Sequence, residues 1–158
     1  MDIAREFLRH TVATVAYRGE KSVRNAPESF AEFQIGENSR TPAQILAHIG
    51  DLFDWALWMA KGEHRWQNSA PLTWDNEVQR FFETLQRFDE YLASDQPIQT
   101  SPEKLFQGPI ADALQHIGQI NYLRRLADAP IRGENYFKAE IKIGKVGSEQ
   151  SLKRIEFD

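Results

Sequence analysis

Apolar residues recur along this chain at helical spacing. Ile3, Phe7, His10 and Thr14 fall on one stripe with Leu8, Thr11 and Val15 beside it, which predicts a helix over residues 3–18. Residues 18–40 mix Gly, Pro, Asn and Ser and read as a connection, with Phe30, Phe33 and Ile35 apolar enough to cover part of a core. A second helix has the clearest start in the chain. Thr41 stands at the N-cap, Pro42 at the first helical position and Gln44 three after the cap, where its amide closes a capping box. Ile45, Ile49, Leu52, Phe53, Ala56 and Met59 then follow the helical period, and Gly62 supplies the stop.

Residues 73–93 predict a third helix, with Val78, Phe81, Phe82, Leu85, Phe88 and Leu92 on the apolar face and Glu77, Glu83 and Glu90 facing out. The fourth is expected over 108–128. It starts at Gly108-Pro109, where the missing N–H of proline costs nothing, and stops before Pro130. The stretch "AEIKIGKVG" alternates briefly, but a lone segment without a partner cannot form a sheet. Four helices with one apolar face each bury those faces together, so the fold class is all-α, a four-helix bundle in a single domain over 1–158. Residues 129–158 are expected to wrap its outside.

Composition narrows the function. A net charge of −4, with no basic cluster longer than Arg124-Arg125, argues against nucleic-acid binding. No cysteine is present, so the chain has neither a disulfide nor a thiol nucleophile of its own. Acidic residues at positions 2 and 6 do not suit a signal peptide, and the longest apolar run is too short to span a bilayer. The expectation is a cytoplasmic protein without a membrane partner.

Candidate chemistry lies in the histidines. Asp112 and His116 are four residues apart, about 40° around a helix and about 6 Å along it, the spacing by which one helix offers two ligands to one ion. The pair is expected at the flank of the core, where an open coordination position can reach solvent. A carboxylate in a first helical turn also suits the macrodipole, and both readings stay open for Asp112. His48 shares a strip with Leu52, Trp55 and Met59; among apolar side chains both ring nitrogens need partners. A metal on one and Asp51 on the other would meet that need, and a core histidine held by hydrogen bonds is the plain alternative. His10 can point into the same cleft, His64 is expected to be solvated, and Gln119 reads as a solvated helix residue. Gly118 in mid-helix costs about 1 kcal/mol against alanine, so a close approach is expected there.

Two segments, "TPAQILAHIGDLFDWALWMAKGE" and "GPIADALQHIGQINYLRRL", with the closing "NYFKAEIKIGKVG", resemble the DinB family within the wider DinB/YfiT-like superfamily of metalloenzymes. The resemblance spans nearly the whole chain. It implies an up-down-down-up bundle, often a homodimer, with a divalent metal held by one histidine of the second helix and an H-x-x-x-H-x-G-Q-like pattern in the fourth. Carried over, the ligands are His48, Asp112 and His116, with Gly118 and Gln119 in their places. Asp112 stands where the family has histidine, making a two-His-one-carboxylate set suited to Zn or Ni, or to Fe or Mn. The resemblance further implies transfer of a small thiol, such as bacillithiol or mycothiol, to an electrophile, with His10 or Asp51 handling the proton. The alternatives are a non-catalytic metal-binding protein of the stress response and a purely structural, metal-free bundle.

Overall fold

The computed structural model describes residues 2–157. It is mostly helical: α1 (Ile3–Val23), α2 (Pro42–Ala60), α3 (Trp74–Ala93), α4 (Pro102–Leu105) and α5 (Ala111–Leu126). A five-residue π turn, Phe106–Ile110, joins α4 to α5 without a break in helical backbone. The strands are two short antiparallel pieces, β1 (Gly133–Glu134) and β2 (Glu156–Phe157), and "AEIKIGKVG" lies outside both.

Contacts set the helix directions. Arg9 bonds Asp89, Arg5 donates to the carbonyls of Leu92 and Ser94, and Gly19 lies against Phe81, so α1 and α3 are antiparallel. Asp51 meets Arg80 and Asp54 meets Arg87, so α2 and α3 run parallel. Phe7 packs beside Phe106 and Arg124 reaches the Ser22 carbonyl, so α1 parallels the run from α4 through α5. His48 faces His116 while Trp55 faces Gly108, so α2 opposes α5. Parallel neighbours need a crossover. Residues 61–73 supply it as an extended strap that can reach roughly 40 Å, against the ~28 Å length of α2.

The core is continuous through all four long helices, with Val12, Phe53, Phe81, Phe88, Leu105 and Ile120 fully enclosed. Burying each such side chain favours folding by roughly 1.5–3 kcal/mol. Thr41 and Gln44 form the expected capping box on α2.

Several expectations give way. The first helix continues to Val23: Gly19 is buried on Phe81, the Ser22 carbonyl accepts from Arg124, and Glu20 and Lys21 pair with Arg154, Glu134 and Glu156 of the C-terminal segment. Its buried face runs through Leu8, Thr11, Val12 and Val15, leaving Ile3 and Phe7 exposed. Glu77 does not face out. It is fully buried beneath the strap, where it accepts a hydrogen bond from the Leu72 N–H. The last helical run starts at Pro102, capped by Ser101, and not at Pro109. Residues 129–157 do lie over the outside, held by a buried ionic cluster. Glu134 accepts from the Tyr17 hydroxyl and from Lys21 at 2.9 Å, Lys21 also meets Glu156 at 3.0 Å, and Arg154 joins Glu20 to this group.

Candidate metal centre

Asp112 follows the π turn directly. Pro109 cannot donate to a helical ladder, and its ring would crowd the carbonyl four residues back; widening the turn to an i→i+5 bond, Ala111 N–H to Phe106 C=O, accommodates it. This added residue sets the register of everything after it, including Asp112 and His116. It also bears on the helix-start reading of Asp112. Helical backbone precedes the residue from Pro102 onward, so Asp112 is not at a free helix start and the macrodipole gives it no special role.

Instead Asp112 lies between the two histidines. Its Oδ2 is 3.6 Å from His48 Nε2 and its Oδ1 is 3.4 Å from His116 Nε2. The two imidazoles meet edge to face with centroids 4.7 Å apart. One ligand atom from each of the three residues falls within 4.8 Å of the others, so His48, Asp112 and His116 could hold a metal ion. Around an ion with ~2.1 Å bonds, tetrahedral ligand atoms stand ~3.4 Å apart. The two contacts, one from each carboxylate oxygen, are close to this spacing.

The protonation pattern suits ligation as well. Gln119 Oε1 stands 2.7 Å from His116 Nδ1, placed to accept from Nδ1–H in the tautomer that leaves Nε2 for a metal. Gln119 is therefore not merely solvated. Burial, with His116 and Arg40 nearby, holds the pKa of His48 below the ordinary histidine value despite Asp112, which favours the neutral, ligating ring.

The other sequence candidates are elsewhere. His10 is exposed on α1, and the cavities bordering the triad are lined without it. Asp51 is buried but turned to the strap: it accepts from the Ser69 N–H at 2.8 Å, from the Ser69 hydroxyl at 2.7 Å, and from Arg80. Its work is to pin the crossover rather than to orient His48. That crossover carries Trp66 against both His48 and Trp55, at 5.6 and 5.7 Å. His64, exposed as expected, lines the cavity of about 420 Å³ that Trp66, Trp55 and Leu52 form over His48 and Asp112.

Gly118 also departs from expectation. A Cβ there would meet nothing within 4 Å, so no close packing explains it; it lines a second cavity with His116, Gln119 and Arg40. Sequence reasoning missed Arg40, Trp66 and the tie to Gln119. Only the last had a sequence signal, its i, i+3 spacing from His116. No family model, curated protein or solved structure matches the chain.

Proposed function

We propose that the chain is a DinB-like four-helix bundle of up-down-down-up topology that binds a divalent metal, zinc or nickel, through His48, Asp112 and His116. The observation that carries this reading is the convergence of the three ligand atoms, with Gln119 Oε1 2.7 Å from His116 Nδ1. The antiparallel α1–α3 and parallel α2–α3 pairs support the topology. On this reading the protein transfers a low-molecular-weight thiol to an electrophile. The chain has no cysteine, so the thiol comes from a cosubstrate.

A bound metal would supply Lewis acidity, stabilising a thiol as its thiolate at neutral pH. The chain's own groups do the rest. His48 and His116 would each offer a ring nitrogen and Asp112 a carboxylate oxygen. Trp55, Trp66 and Leu52 give the adjoining cavity an apolar lining. His64, on the rim of that cavity, replaces His10 and Asp51 as the residue that accepts the proton released from the thiol.

The test is loss of an electrophile with bacillithiol, mycothiol or glutathione, using protein purified without an affinity tag. Turnover that needs one thiol, ceases with chelator and returns with zinc or nickel is the expected result. A protein that holds metal yet shows no metal-dependent turnover with any of the three would be a metal-binding protein without this activity.

A further inference from the structure

The cavity on the α5 side of the triad is unused by the reading above. It is an open cleft of about 600 Å³ between the start of α2 and the outer face of α5, with His116 in its wall. Ile35, Ile45, Tyr122 and Leu123 make most of its lining apolar. Arg40, an exposed residue, lines this cavity beside His116 and also the neighbouring space beside His48. Arg40 has no ion pair among the described residues, whereas buried Asp51 in the same region is already bound to Arg80.

Two features point to a ligand. The first is charge. A divalent ion with one carboxylate and two neutral imidazoles leaves a net positive centre, and Arg40 adds a second positive group beside it, in a chain whose overall charge is −4. The second is Gly118. Mid-helix glycine costs about 1 kcal/mol against alanine, and here neither packing nor backbone conformation asks for it. What its missing side chain does is leave the cavity floor open.

We infer that this cavity binds a small amphipathic carboxylate, its head between Arg40 and the metal centre and its hydrocarbon body over Gly118 against Ile45 and Leu123. This assignment of ligand class rests on the metal reading for half of its charge recognition, but Arg40 and Gly118 act without the metal. A guanidinium pairs a carboxylate through two parallel hydrogen bonds, which an alcohol cannot match. The apolar walls then select for a chain of carbons rather than a small inorganic anion.

The experiment is calorimetric titration of octanoate, octanol and acetate into the full chain, zinc-loaded and metal-free, with zinc content measured for every sample. Octanoate should bind zinc-loaded protein at least tenfold more tightly than octanol or acetate. Arg40→Gln should weaken octanoate about tenfold and leave octanol unchanged. Gly118→Leu should abolish binding of both while zinc content and helicity stay at wild-type levels. In metal-free protein, octanoate should bind more weakly but keep its dependence on Arg40 and Gly118. Should the chain fail to hold zinc, the metal reading falls and the metal-free titration alone decides the cavity. Octanoate binding equal to that of octanol, or unaffected by Gly118→Leu, would overturn the inference.

Discussion

Single side chains in this protein take their roles from neighbours that lie far away in sequence. Asp112 illustrates it: with Pro109 as a helix start, its carboxylate has an ordinary explanation, and that explanation ends once Ser101 and Pro102 prove to be the start. His48 carries a consequence for pH. Its folded pKa lies below the unfolded value, chiefly through burial, so the unfolded chain binds the proton more readily. The stabilising contribution is therefore complete above the ordinary histidine range near 6.5 and is lost as pH falls through that range toward the folded pKa. Urea midpoints of metal-free protein should decline between about pH 8 and about pH 5.5, and His48→Gln should flatten part of that decline. A His48 NMR titration with its midpoint above 6.5 would contradict this assignment.

At the scale of elements, the glycines separate packing from function. Gly19 lies where α1 crosses α3, and an added Cβ would collide with the ring of Phe81. Gly19→Ala should cost about 1–3 kcal/mol by overpacking. The same change at Gly118 meets open space, so Gly118→Ala should stabilise by up to ~1 kcal/mol. Denaturant unfolding of the two variants reads both signs; equal effects would refute the distinction. Element boundaries show how far sequence reasoning carried. The second helix was legible to the residue because its capping box is local, three residues of one chain segment. The last helix was misplaced because proline normally marks a start, and nothing in the sequence announces a π turn that absorbs it. Glu77 was misassigned for a similar reason. Helical period in fact places it on the buried stripe, four residues before Phe81 and eleven before Phe88; its charge argued for an outward position, and the strap and Arg80 supply the partners that let it stay buried.

The whole molecule is closed by its C-terminal segment. Tyr17, Lys21 and Glu134 are all buried, and Arg154 nearly so, which makes the segment part of the folded unit rather than an appendage. Removing one partner of a buried charge pair leaves the other unpaired, so Glu134→Ala should cost about 3 kcal/mol in thermal or urea unfolding. The triad draws no residue from this segment, and metal stoichiometry at saturation should not change. Burial and Glu134 also push the Tyr17 pKa up to about 12, so stability should fall as pH rises from ~10 through that value. No helix among the described residues is long and apolar enough to cross a membrane. The Asp112–His116 half of the candidate site was legible from sequence because the two share one helix at i, i+4, and the resemblance added His48. Its surroundings were not, because Arg40, Trp66 and the cavities arise only where the strap and the start of α2 meet α5.

Titration of zinc and nickel into tag-free wild type, Asp112→Ala, Asp112→His and His116→Ala tests the central claim most directly. The account predicts one high-affinity site per chain in the wild type and sharply weaker binding in Asp112→Ala and His116→Ala. Binding should be restored in Asp112→His, which places a second imidazole at the same i, i+4 spacing. All four proteins should keep the same helicity, and in metal-free form Asp112→Ala should differ in stability by less than ~0.5 kcal/mol. Equal affinity in wild type and Asp112→Ala would reduce the centre to two histidines, and no saturable site in the wild type would contradict the account.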